Sequence, residues 1–256
     1  MKLPEIKTST LDHPKYMIVY AQPKVGKTTA LSHLQNACIV DWENGTKYIK
    51  GVAVFNVIDE AKEFKGNPVQ TINAFAQMLE DYKTKSGKYP YDYLVIDSLT
   101  KIGEVAAKLA TVLYKNSVIG KSFTGTDVVS ELPNGGGYEW LRQAYKILID
   151  PLVDKSNKCT ILVAHTKIAS IQKDGKEMSV NDITVTGKYK LALAADVDSI
   201  GLMYRDPKNS NILYLSFKSD PSEIICGSRV EKLRDQVIPI LTLDGKTFKS
   251  NWNEVF

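Results

Sequence analysis

The sequence predicts an α/β fold: a mostly parallel sheet with helices on both faces. Three observations carry that prediction. First, strand-length apolar runs recur along the chain: YMIVY (16–20), ACIVDW (37–42), YDYLVIDS (91–98) and CTILVAH (159–165). Second, segments with apolar residues at helical spacing alternate with these runs. Third, the runs are apolar on successive residues, so both faces of each strand are buried, as in a parallel sheet with helical crossovers.

Taken in order, YMIVY reads as the first buried strand and TTALSHLQ as the helix after it, followed by ACIVDW. GVAVFNVI (51–58) is strand-like, and VQTINAFAQMLEDYKTK places Ile72, Phe75, Ala76 and Leu79 on one helical face, with Gly87 as the stop. YDYLVIDS is the next strand, and LTKIGEVAAKLATVLYK the next helix. Residues 116–137 lack periodicity and read as a long loop. YEWLRQAYKILIDPLVDK returns to a helix, kinked at Pro151, before CTILVAH. A polar stretch, 166–182, reads as a second loop. VDSIGLMYR and NILYLSFKS then alternate across DPKNS, which predicts an antiparallel hairpin. No repeat or linker divides the chain. It reads as a single domain over 1–256, with a core of about 15–230 and a C-terminal extension over 231–256.

Composition excludes several classes. Hydrophobic residues are 43% and charged residues 24% of 256, ordinary for a globular protein with a sizeable core. No run approaches the roughly 20 apolar residues of a membrane span. The N-terminus, MKLPEIKTSTLDHPK, has no apolar core of a secretory signal, so a cytoplasmic protein is expected. Cys38, Cys159 and Cys226 lie far apart in apolar contexts and read as buried thiols, with no CxxC pair for zinc. A net charge of +4 permits nucleic-acid contact without requiring it.

The chemistry concentrates at the strand tips. Residues 21–29 (Ala21, Gln22, Pro23, Lys24, Val25, Gly26, Lys27, Thr28 and Thr29) have the pattern of a phosphate-binding loop. Gly26 allows close backbone approach, Lys27 reaches the β/γ-phosphates, and the Thr28 hydroxyl suits Mg²⁺. Ala21 stands where the strict pattern has glycine, at a cost if that position needs positive φ. Asp97, ending the LVID strand, suits a partner for the metal held at Thr28, while Ser98 can equally cap the following helix. Glu43, in DWENG after the second strand, is the candidate to orient an attacking water, since Asp97 is followed by serine and not by a second carboxylate. His165 ends the ILVAH strand, where a polar group can sense a γ-phosphate. No arginine stands beside the phosphate loop in the sequence.

These residues in this order resemble the RecA-like core ATPases, and most closely the small RecA-like proteins of bacteriophages, over roughly residues 15–230. The resemblance implies a RecA-like P-loop fold that binds ATP and Mg²⁺ and assembles into a ring or filament. It implies work on single-stranded DNA in recombination or replication, alongside a single-strand-binding or annealing protein, in the cytoplasm of a bacterial host. It assigns Glu43 to the water and His165 to the γ-phosphate. It also implies a basic residue supplied by a neighbouring subunit, for which Lys218 and Arg229 are the candidates. His165 departs from the glutamine that RecA carries there.

The 166–182 stretch and its flank, with Lys167, Lys173, Lys176, Lys188 and Lys190, are the expected nucleic-acid contact. Residues 116–137 are the fallback. A GTPase lacks its guanine-reading aspartate in NKCT (157–160). A P-loop kinase of small molecules lacks an arginine-rich lid, and a nucleotide-gated loader with weak hydrolysis stays open as an alternative.

Overall fold

The computed structural model describes residues 11–173, 176–185, 189–219 and 226–256. Along the chain run β1 (Tyr16–Ala21), α1 (Lys27–Leu31), β2 (Ala37–Asp41), β3 (Ala53–Asn56), α2 (Val57–Glu60) and α3 (Pro68–Ser86). β4 (Tyr93–Asp97), α4 (Leu99–Asn116), α5 (Gly137–Ile149), β5 (Cys159–Lys173) and β6 (Lys176–Ile183) follow. The chain continues through α6 (Tyr189–Asp196), β7 (Ser199–Arg205), β8 (Ile212–Ser216), β9 (Gly227–Ser228), β10 (Val237–Asp244) and β11 (Thr247–Ser250).

The sheet order is β11-β10-β8-β7-β1-β5-β4-β2-β3, with β6 paired to β5 and β9 to β7. The strands from β7 across to β3 are parallel, and β8, β10 and β11 extend the sheet antiparallel. The sheet therefore has the predicted class, with the 197–219 hairpin realised as β7 and β8.

Successive residues of the central strands feed two cores, which is why these strands are apolar throughout. Ile18 and Tyr20 of β1, with Leu94, Ile96 and Leu162, meet Ile72 and Leu79 of α3, Ile102 of α4 and Leu148 of α5. Met17 and Val19, with Ile39, Val95 and Ile161, meet Ala30 and Leu31 of α1. The same second core takes Ile238 and Ile240 of β10 and the C-terminal Trp252 and Val255. Trp252 and Val255 of the extension thus pack in the same core as the short α1, which has five residues.

Helix boundaries follow local chemistry. Asn67 caps α3 through its side chain, with Pro68 at the first helical position and Gly87 in the left-handed conformation at the end. Ser98 caps α4, accepting from Lys101 N. Pro151 does not kink a continuing helix. α5 stops at Ile149 and a 3₁₀ turn follows over Asp150–Leu152, because proline removes the donor a helix needs.

Three sequence expectations are corrected. The helix read over 28–35 ends at Leu31. The strand read over 51–58 ends at Asn56, whose side chain caps α2 instead. The loop read over 166–182 is a hairpin: β5 runs on past His165 to Lys173 and pairs antiparallel with β6, from Thr166↔Ile183 to Lys173↔Lys176. Lys188 lies outside the described residues, as do the side chains of Lys173 and Lys176.

Candidate nucleotide site

The parallel strands deliver their C-terminal tips to one end of the sheet, where open α/β sheets bind ligands. β5 stands between β1 and β4, so the tips of β1, β5, β4 and β2 lie side by side. In register, Ala21 pairs with His165 and Asp41 with Asp97. A cleft of about 500 Å³ opens there, lined by the phosphate loop, Glu43, Ile49, Asp97 and His165.

Ala21 is the last residue of β1, fully buried and in strand conformation. The expected cost of positive φ at that position does not arise. The left-handed backbone falls instead at Lys24, with φ 63°, and at Gly26, with φ 111°. Gly26 is required by its dihedral, whereas Lys24 adopts one that L side chains disfavour. Gln22, Pro23 and Lys24 are exposed at the loop, Val25 is half-buried, and Thr28 and Thr29 open α1.

Lys27 is buried, and its ammonium donates to Ala21 O at 3.3 Å, Gln22 O at 3.1 Å and His165 Nδ1 at 3.0 Å. Burial lowers its pKa from the usual lysine value, against the opposing pull of Asp97 and Glu43. With Nδ1 accepting from Lys27, the His165 proton sits on Nε2, which faces Glu43 Oε1 at 3.3 Å. Ser98 also donates to Glu43 through a short hydrogen bond. The histidine contact, ahead of Ser98 and against partial burial, holds the Glu43 carboxyl below its usual pKa. His165 is itself placed by its backbone N–H, which donates to Thr100 Oγ1 at 3.3 Å. A line of contacts therefore runs from Lys27 through His165 to Glu43.

Thr28 Oγ1 donates to Asp97 Oδ2 at 2.7 Å across the intervening β5. Asp97 is 6% exposed, and its pKa is raised to about 6, chiefly by burial, with the Thr28 hydrogen bond opposing. The peptide between Asp97 and Ser98 is cis. The two readings of this pair separate: Ser98 caps α4, leaving Asp97 to Thr28. Asp41, at the tip of β2, is also buried but committed to its own loop. It accepts from Glu43 N at 2.8 Å, Gly45 N at 3.3 Å, Thr46 N at 3.0 Å and Thr46 Oγ1 at 2.6 Å. Those bonds curl the DWENG segment so that Glu43 turns into the cleft.

The donor set fits a nucleotide and a divalent ion. Among the described residues no carboxylate pairs directly with the buried Lys27, which is bonded to carbonyls and an imidazole that an anionic phosphate can replace. Asp97 is a buried carboxylate next to a hydroxyl, held above its usual pKa chiefly by burial, which a bound cation would offset.

Lys218 and Arg229 do not join this cleft. Both are exposed and neither lines the cleft, and Arg229 sits toward the opposite end of the sheet. Lys218 follows Ser216, which pairs with Leu202, and Arg229 follows β9, which pairs with Ser199 and Ile200 at the start of β7. Arg229 donates to Ala195 O. The expectation that no arginine stands beside the phosphate loop is corrected: Arg205, ending β7, places Nη2 3.1 Å from where a Cβ on Gly26 would lie. Sequence distance concealed it, because β7 pairs with β1 only after the long excursion through β6 and α6.

A profile of the AAA domain family matches residues 13–249. A search of curated proteins returns no match. Among solved structures, the chain is similar to the RadB recombinase at 12% identity and a TM-score of 0.41, with 94% of this chain and 92% of that chain covered. It is also similar to flagellar accessory protein FlaH from Methanocaldococcus jannaschii at 13% identity and a TM-score of 0.33, with the same coverage of 94% and 92%. Likenesses so distant carry no functional argument.

Proposed function

The chain belongs to the AAA domain family, whose match spans residues 13–249, and we propose that it hydrolyses ATP with Mg²⁺ while acting on single-stranded DNA as an assembly of its own copies. The observation that carries hydrolysis is the Lys27–His165–Glu43 line. A water that attacks a γ-phosphate must be oriented and must lose a proton. Glu43 is held ionised beside the phosphate-binding lysine, so it can accept that proton. The Mg²⁺ would be held at Thr28 and Asp97, and it supplies charge neutralisation on the phosphates.

The same line gives His165 its role. A phosphate that draws Lys27 away frees Nδ1, and His165 then reports the change along β5. That strand continues without a break into the β5–β6 hairpin. This continuity supports the hairpin as the DNA-contacting element, with Lys167 exposed at its base. Lys167 and Lys190 both approach Asp182, at 3.7 and 2.6 Å, so part of the local positive charge is already neutralised. Affinity for DNA is therefore modest and strongly salt-dependent.

ATP turnover of the full chain, with and without single-stranded DNA, tests this reading. Stimulation by DNA supports it. Turnover that ignores DNA, with no DNA bound at low salt, leaves an ATPase without the proposed partner and favours the loader.

A further inference from the structure

Arg205 stands on the phosphate loop and has no role in the reading above. It ends β7, half-buried, and its Nη1 donates to Ser210 O at 2.6 Å, which fixes the guanidinium from the far side of the β7–β8 turn. Its Nη2 lies 3.1 Å from where a Cβ on Gly26 would stand, a tight contact at the phosphate loop. Among the described residues no carboxylate pairs with Arg205. A planar cation with one of its five N–H groups anchored this way is left with donors and a face to offer.

The sheet order says to which part of a nucleotide. Glu43, Asp97 and His165 all come from β2, β4 and β5, on one side of β1. β7 is the strand on β1's other side. A nucleotide whose terminal phosphate lies among Glu43, Asp97 and His165, with its phosphate chain along Gly26–Thr28, therefore carries its nucleoside toward β7. Resting on the nucleotide-site reading, we propose that Arg205 forms the nucleoside end of the site, within the same chain, with its guanidinium plane against the base. A base presents a π-face that a guanidinium stacks on without reading its hydrogen-bonding edge, so the contact adds affinity more than base selectivity.

The experiment titrates ATP, ADP and inorganic tripolyphosphate onto the full-length protein and onto Arg205→Ala and Arg205→Lys, with Mg²⁺ present. Arg205→Ala is expected to lose about tenfold in affinity for both ATP and ADP, the size of a stacking contact, and nothing for tripolyphosphate, which has no base. Arg205→Lys keeps the charge without the plane and is expected to recover less than half of the loss on a logarithmic scale. An equal loss for tripolyphosphate would show that Arg205 only props up the phosphate loop. A loss for ATP and not ADP would place it at the γ-phosphate, and unchanged affinities would remove any contact; each of these overturns the proposal. Failure of the unsubstituted protein to bind ATP or ADP overturns the nucleotide site itself, and is distinguishable because no variant is then involved.

Discussion

At the scale of single residues, function at this cleft is set by where burial places charge. Glu43 is kept ionised by His165 and Ser98, so Glu43→Gln retains the shape and the accepting oxygen while removing the base. Turnover is expected to fall by about 10²–10⁴-fold with ATP affinity nearly unchanged, read by single-turnover hydrolysis and equilibrium titration. Undiminished turnover would assign the water to another group. Asp97 makes an opposite bargain with the fold. Its pKa rises from the usual 3.8 to about 6, so ionising it costs stability, a cost absent below 3.8 and fully present above about 6. Asp97→Asn keeps an acceptor for Thr28 and is expected to stabilise the metal-free protein at pH 8 by up to about 3 kcal/mol. The gain should vanish near pH 4, while Mg²⁺-dependent nucleotide affinity drops. Equal urea midpoints for the two proteins at pH 8 would contradict the burial argument. The phosphate loop, Asp97, Glu43 and His165 were legible in the sequence because strand tips and their polar endings are local patterns. Arg205 was not, because its neighbourhood with Gly26 exists only through the pairing of β7 with β1.

At the scale of elements, the long apolar strands and amphipathic helices were readable, since period and composition agree over many residues. The β5–β6 hairpin was not, because its polar composition imitates a loop. The sequence does hold Asp174-Gly175 between the two strands, a two-residue turn signal that the lysines and serines obscured. A two-stranded ribbon is marginal alone, and this one is anchored at its base by the core part of β5. Lys173→Ala with Lys176→Ala is expected to flatten the salt dependence of single-stranded DNA affinity by about 1–2 in log–log slope, leaving ATP affinity untouched. A parallel line would move the DNA site to residues 116–137. The C-terminal segment matters to the cleft for a different reason. α1 has five residues, below what sustains an isolated helix, and Trp252 Nε1 donates to Ala30 O at 2.7 Å from beneath it. Trp252→Ala is expected to cost about 3–5 kcal/mol, and Trp252→Phe less, with nucleotide affinity falling in the same order. Calorimetric melting with and without ATP measures both, and a variant as stable as its parent would show that the extension does not support α1.

At the scale of the whole molecule, the sheet has two ends with different chemistry. The tips of β1, β2, β4 and β5 gather Lys27, Glu43, Asp97 and His165, whereas Arg229 sits toward the other end. β7 alone separates the level of Ser199 from that of Arg205 by six residue steps, about 20 Å at 3.3 Å per residue. Arg229, at the Ser199 level, is therefore too far from a phosphate bound in its own chain to reach it. Copies stacked head to tail would bring one copy's far end to the next copy's cleft, the heterologous contact that yields rings or filaments. A guanidinium delivered that way meets charge that develops on the γ-phosphate, where a positioned cation is worth most. This predicts complementation. Arg229→Ala subunits keep an intact cleft but offer no arginine, and Lys27→Ala subunits offer the arginine but hold no nucleotide. Each alone is expected to be nearly inactive, and an equimolar mixture, shown by mass photometry to co-assemble, is expected to recover about a quarter of parental turnover, since one neighbour pairing in four joins the two intact halves in the productive order. A co-assembled mixture as inactive as its parts would remove Arg229 from the shared site and pass the same test to Lys218.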